Sequence, residues 1–141
     1  MFTRLLVGFD ASDASKRAFQ LALDLAKQSG CELHVCSVIE DIPHYAESMG
    51  DVDEVVAHGR KHFAAAQRTL AKQAEKLGVK LSTHILTGHP VESLVHLATE
   101  QHVDCIVLGG LGHSRILRRA SGGTGSQIAY HAPCSVLIVR A

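Results

Sequence analysis

Continuous apolar runs alternate along the chain with segments whose apolar residues recur at helical spacing. The first run, Leu5 to Phe9, lacks the polar and apolar alternation of a surface strand, so we predict a strand buried on both faces. From Ser12 the spacing becomes helical and continues to Gly30. This pattern predicts a helix with Ser12 or Asp10 as its cap and Gly30 as its end.

The same alternation continues through the rest of the chain. Further strands are predicted at Leu33 to Ile39, Lys80 to Leu86, Cys105 to Leu108 and Ser135 to Val139. Further helices are predicted at Asp53 to Leu77, from Pro90 onwards and at Gly125 to Tyr130, with a loop from Glu40 to Asp51. Five strands and four helices in alternation indicate an α/β fold, a doubly wound five-stranded parallel sheet sandwiched by helices. Ligands of such sheets bind at the carboxyl ends of the strands, so the segments after strands one, two and four are the candidate site.

The composition indicates one globular domain and argues against two classes of partner. A length of 141 residues is typical of one domain, so residues 1–141 are predicted to share a single core. With 14 acidic residues, 14 basic residues and no Trp, the chain lacks the charge and the aromatic surface that nucleic-acid binding needs. No apolar segment is long enough for a membrane span or a signal peptide, and no C-x-x-C pair occurs. We therefore expect a cytoplasmic protein with reduced thiols, no nucleic-acid partner and no membrane insertion.

Glycine residues are concentrated after the fourth predicted strand. Gly109, Gly110 and Gly112 are followed by Gly122 and Gly123, which precede a predicted helix. Glycine lets backbone N–H groups approach a phosphate closely, and a helix N-terminus adds positive potential. The segment therefore indicates an anion cradle, and the alternative is a flexible loop whose glycines only form turns. Neither the G-x-x-x-x-G-K-[ST] pattern nor a G-x-G-x-x-G fingerprint after strand one is present.

Three segments together resemble the universal stress proteins, and the resemblance extends along nearly the whole chain. They are Val7 to Ser12, the spacing Gly109-x2-Gly112-x9-Gly122, and His131 to Val139. The resemblance implies a fold of the adenine nucleotide alpha-hydrolase type and self-association through the last strand. In nucleotide-binding members, it implies that the acid after strand one, here Asp10, and main-chain groups after strand two, here Val35, hold the adenosine.

The resemblance also implies that backbone amides of the long glycine motif bind the phosphates. The complete nucleotide site predicted for this chain comprises Gly8, Phe9, Asp10, Val35, Leu108, Gly109, Gly112, Arg115, Gly122, Gly123 and Thr124. The Asp10 carboxylate can accept a hydrogen bond from a ribose hydroxyl and can also cap the first helix, because its two oxygens can serve both partners. Arg115 is the arginine closest in sequence to Gly112, and it either contacts phosphate or faces solvent.

One position departs from the family pattern. The motif of nucleotide-binding members ends in Gly followed by Ser or Thr, whereas this chain has Gly123 at the hydroxyl position. Losing one hydrogen bond to a charged phosphate costs roughly 1.5 to 3 kcal/mol, about ten- to a hundredfold in affinity. Thr124 or Ser126 can supply a hydroxyl from a shifted loop. A ligand with fewer phosphates, AMP or a cyclic nucleotide, depends less on the missing group.

Metal binding and catalysis are less well supported. His58 and His62 are four residues apart on the long predicted helix, but two ligands do not make a metal site, and we expect a solvated surface there. No G-x-S-x-G pattern occurs, and the glycine motif has no Lys or acid to position Mg²⁺ and a water. No catalytic residue is predicted, and any ATP hydrolysis is expected to be slow.

Together with these observations, the resemblance implies a stress-response regulator or sensor that binds ATP or AMP, with or without Mg²⁺, and acts on an unidentified protein partner. The last predicted strand is uniformly apolar from Val136 to Val139. If it lies at the edge of the sheet, it must be covered to prevent uncontrolled pairing with other chains. A second subunit in a two-fold homodimer is the natural cover. The alternative is a nucleotide-independent protein interaction module.

Overall fold

Five parallel strands form the centre of the molecule. The computed structural model describes residues 2–40, 52–110 and 124–140. Within these ranges the strands are β1 (Arg4–Gly8), β2 (Glu32–Glu40), β3 (Leu81–Gly88), β4 (Cys105–Gly109) and β5 (Ser135–Val139). They pair in the order β3-β2-β1-β4-β5, and every pair is parallel. The order reverses between β1 and β4, so the predicted doubly wound five-stranded parallel sheet is confirmed.

Four helices connect these strands within the described residues. They are α1 (Asp13–Ser29), α2 (Val52–Lys76), α3 (Pro90–Glu100) and α4 (Thr124–His131). The Ser12 hydroxyl caps α1 by accepting a hydrogen bond from the Ser15 N–H at 3.2 Å, and α1 ends at Gly30, which has a φ of 71°. None of the helices described here combines the length and the apolar character that crossing a bilayer requires.

Two apolar layers cover the sheet. Consecutive side chains of a strand point to opposite faces, which is why β1 is apolar from Leu5 to Gly8. Leu5 faces the layer formed by α1 and α2, and Leu6 faces the layer formed by α3 and α4. Both leucines are fully buried. The central strands are thus shielded on both faces, and the strand ends are left to form a site.

The strand boundaries differ from the predicted ones by up to two residues, and the differences matter at the carboxyl edge. β3 continues to Gly88, two residues beyond its predicted end. β2 continues to Glu40 because β3 pairs with it over this whole length. β1 ends at Gly8 instead of Phe9, although the Phe9 N–H still donates to the Cys36 carbonyl at 2.9 Å. The carboxyl end of β2 therefore lies further beyond the turn after β1 than the apolar pattern predicts.

Candidate functional site

A cavity of about 750 Å³ lies at the carboxyl ends of β1 and β2. Its walls are the turn formed by residues 9–12, the last residues of β2, one face of α2 and Pro90 at the start of α3. This is the edge of the sheet at which parallel α/β proteins bind their ligands. The volume is within the range of small-molecule sites.

The turn after β1 carries the acid of the site. Asp10 lines the cavity, and its Oδ1 accepts a hydrogen bond from the Ser12 N–H at 3.0 Å. Ala11, between them, has a φ of +68°, a left-handed conformation that is uncommon for a residue with a Cβ. Phe9 is buried and contributes an apolar part of the wall. Asp10 thus helps to shape the turn that leads into α1, while Ser12 caps the helix.

The contribution of β2 differs from the predicted one. Val35 is completely buried and pairs with Val7 in the middle of the sheet, so it does not reach the cavity. Val38, Ile39 and Glu40 line the cavity instead. Val35 lies away from the cavity because β2 continues five residues beyond it. The rule that ligands bind at strand ends, applied to the predicted end of the apolar run at Ile39, could have identified the segment that lines the cavity.

One face of α2 forms a second wall. Val55, His58, Gly59 and His62 line the cavity, and their spacing places them along one stripe of the helix. A Cβ on Gly59 would lie 3.1 Å from the Ile39 Cγ1 atom, so the helix approaches β2 closely here. The two histidines were predicted to face solvent. They are exposed, and they also form part of the cavity wall.

The glycine region is described only in part. Gly109 ends β4, and a Cβ there would lie 2.6 Å from the backbone carbonyl carbon of Ala14 in α1. A Cβ on Gly110 would lie 2.6 Å from the Val139 carbonyl oxygen, and the Gly110 N–H donates a hydrogen bond to that oxygen. Both glycines are therefore required by close packing within the protein itself.

The structure describes only some of the remaining predicted site residues. Gly8 and Leu108 are buried at the carboxyl ends of β1 and β4, next to the site but outside the cavity wall. Thr124 is the first residue of α4. The predicted phosphate contacts Gly112, Arg115, Gly122 and Gly123 lie outside the described residues. Their role stays a prediction.

The described part of the cavity combines apolar and ionisable side chains. Phe9, Val38 and Ile39 supply apolar surface for a flat ring, whereas Asp10 and Glu40 supply carboxylates that can accept hydrogen bonds from hydroxyl groups. In the described ranges, no three or more His, Cys, Asp and Glu side chains are grouped so that they could hold a metal ion. The arrangement suits a small ligand that has both a ring and hydroxyl groups.

Comparisons with known proteins agree on one family. The model of the universal stress protein family matches residues 1–140. The universal stress protein YxiE of Bacillus subtilis is 28% identical over 148 residues, covering 99% of this chain and 100% of that protein. The structure of universal stress protein UspA from Lactobacillus plantarum has a TM-score of 0.73 and 29% identity, covering 98% of this chain and 97% of that chain. A universal stress protein crystallised in complex with cAMP has a TM-score of 0.74 and 27% identity, covering 99% of this chain and 97% of that chain.

Proposed function

Because the chain belongs to the universal stress protein family, we propose that it binds an adenine nucleotide, ATP or AMP, in the cavity beside Asp10 and acts as a stress-response regulator. The observation that carries the proposal is the cavity itself, which joins a carboxylate after β1 to apolar side chains at the end of β2. The similar protein whose structure contains cAMP supports an adenine nucleotide as the ligand class.

The nucleotide binds with its adenine ring against the apolar wall of Phe9, Val38 and Ile39. The Asp10 carboxylate accepts a hydrogen bond from a ribose hydroxyl, which only a ligand with such a donor can supply. The phosphates extend towards the glycine-rich segment after β4, where backbone N–H groups and the start of α4 favour an anion. The role is binding and signalling in the cytoplasm, with at most slow ATP hydrolysis and with Mg²⁺ as an optional companion of ATP.

A homodimer formed through β5 belongs to the same proposal. β5 pairs with β4 on one side only and is the last strand in the order of the described sheet. Ile138 on this strand is 42% exposed, and Val136 and Leu137 are half-buried. An apolar edge strand that pairs with a second copy is shielded from uncontrolled association. The dimer presents its surface to an unidentified regulatory protein, and the nucleotide controls that contact.

Calorimetric titration with ATP, AMP and cAMP tests the proposed ligand. We expect saturable binding of at least one nucleotide, weakened about tenfold by Asp10→Asn, which removes the charge but keeps an oxygen for the Ser12 N–H. Asp24→Asn is the matched control, because Asp24 is exposed on α1 and does not line the cavity. Absence of heat and of a thermal shift at millimolar nucleotide would reject the proposal in favour of the nucleotide-independent interaction module. Adenine absorbance released on denaturing the purified protein gives independent support.

A further inference from the structure

A buried chain of hydrogen bonds connects α2 to the turn that carries Asp10. The Gln67 Nε2 atom lies 3.0 Å from the Ser37 Oγ atom, and Ser37 Oγ lies 2.7 Å from the carbonyl oxygen of Phe9. Gln67 is 4% exposed and Ser37 is 1% exposed. Neither residue lines the cavity, yet this series of hydrogen bonds ends at Phe9, the residue that precedes Asp10.

The groups at the two ends of this series decide which atom donates and which accepts in each hydrogen bond. A carbonyl oxygen can only accept hydrogen bonds, so the Ser37 hydroxyl donates its proton to Phe9. That hydroxyl must then accept from Gln67, which makes the amide nitrogen the neighbour of Ser37. The same nitrogen lies 3.0 Å from the His84 carbonyl oxygen, which also can only accept. Both N–H groups of the Gln67 amide are therefore engaged, and no other side chain of similar length supplies two such donors without a charge.

The turn at which these hydrogen bonds end needs support from both sides. Ala11 is held at a φ of +68°, and a residue with a Cβ remains there only when its surroundings determine the conformation. On one side, Ser12 is tied to α1 through the Ser15 N–H and to Asp10 through its own N–H. On the other side, the Phe9 N–H donates to Cys36 and the Phe9 carbonyl accepts from Ser37.

We propose that Gln67, acting through Ser37, is a positioning residue that fixes the turn presenting Asp10 to the ligand. The role rests on the proposed function, since Asp10 is the residue assigned to the ribose. Buried polar chains of this kind are rigid when every member is paired, and they lose that rigidity when one donor is removed. Gln67→Leu leaves the Ser37 oxygen and the His84 carbonyl without the donor that Gln67 supplies, so the Ser37 hydrogen bond to the Phe9 carbonyl is weaker and less well positioned.

Affinity measured well below the melting temperature of every variant tests the role in binding. We expect Gln67→Leu to weaken ATP or AMP binding by about tenfold. Ser37→Ala, which makes a smaller change in volume, should weaken it to a similar extent and covers the case in which Gln67→Leu fails to fold. The matched control is Gln73→Leu on the same helix, because Gln73 bonds to Gln20 away from the site. Unchanged affinity in both Gln67→Leu and Ser37→Ala would overturn the proposal.

A double-mutant cycle separates positioning from a general loss of stability. If Gln67 acts through the Asp10 turn, Gln67→Leu should reduce affinity less in an Asp10→Asn background than in the wild type. Full additivity of the two losses would contradict the proposal.

Hydrogen exchange of the Ser12 amide gives a readout that needs no nucleotide. This amide is bonded to the Asp10 carboxylate, so a loosened turn should increase its exchange rate on the order of tenfold in Gln67→Leu and not in Gln73→Leu. If the wild type binds no nucleotide, the proposed function fails and this measurement alone decides whether Gln67 positions the turn. An unchanged exchange rate would then overturn the positioning role.

Discussion

The Nδ1 atom of His34 lies 3.0 Å from the Nε2 atom of His84. The imidazole rings are stacked with their planes 20° apart, and the residues occupy diagonal positions on β2 and β3. One nitrogen must donate the proton and the other must accept it, so the contact does not survive protonation of both rings. Burial lowers the pKa of both histidines, and the charge of His84 lowers the pKa of His34 further. Glu32 opposes this shift, whereas Arg4 and Lys80 add to it.

The first prediction is a loss of stability on acidification. Because both pKa values lie below the ordinary value of 6.5, the unfolded chain binds more protons than the folded one as the pH falls through that value. The free energy of unfolding should be fully retained above about pH 6.5 and decrease below it. Urea denaturation at a series of pH values between 8 and 5, at roughly half-unit steps, measures this dependence.

A variant of the pair supplies the control for that experiment. In His84→Gln the free energy of unfolding should depend less on pH, because the substitution removes one titrating ring and the contact that protonation breaks. His96→Gln should leave it largely unchanged, because His96 is an exposed residue paired with Glu100 on α3. Equal slopes for the wild type and His84→Gln would contradict the assignment.

The second prediction concerns the cap of α1. Ser12→Ala removes the hydroxyl that accepts from the Ser15 N–H and should lower the free energy of unfolding by about 1 kcal/mol. Ser12→Thr keeps a hydroxyl at the cap and should retain most of the stability. Chemical denaturation of the three proteins at one pH compares them, and equal midpoints for Ser12→Ala and the wild type would show that the cap does not contribute.

The third prediction concerns the close contact of β4 with α1. Gly109→Ala places a Cβ 2.6 Å from backbone atoms of Ala14, which cannot move aside as a flexible side chain can. We expect a loss of about 1–3 kcal/mol, the usual cost of overpacking. Gly59→Ala meets only the Ile39 side chain at 3.1 Å and gains helix propensity, so its effect should be much smaller. Thermal denaturation ranks the two variants, and the opposite order would refute the prediction.

The fourth prediction addresses the proposed dimer. Ile138→Lys places a charge on the exposed part of β5 and should convert a dimer into a monomer, since lysine on an edge strand opposes pairing. Leu21→Lys is the control, because Leu21 is similarly exposed on α1. Light scattering during size-exclusion chromatography gives the mass of each protein. A wild-type monomer, or a dimer that Ile138→Lys does not affect, would reject β5 as the interface.

Local patterns were enough to predict most of the architecture. The apolar run from Leu5 in β1 required burial on both faces, which in turn required helices on both sides of a parallel sheet. Ser12 and Gly30 marked the ends of α1, because capping and a positive φ depend on neighbouring residues alone. Asp10 was chosen as a candidate through the resemblance to the universal stress proteins, and the strand predicted before it places it at the edge of the sheet where ligands bind.

The composition of the site depended on contacts between distant segments. The register of β2 against β1 decided that Val35 is core and that Val38 lines the cavity. The close approach of α2 to β2 brought His58 and His62 to the cavity wall and Gln67 to Ser37. The sequence by itself determined which segments become strands and helices, because those preferences are local and periodic. Only the tertiary structure decided which side chains meet, because register and helix placement are set by the packing of the whole core.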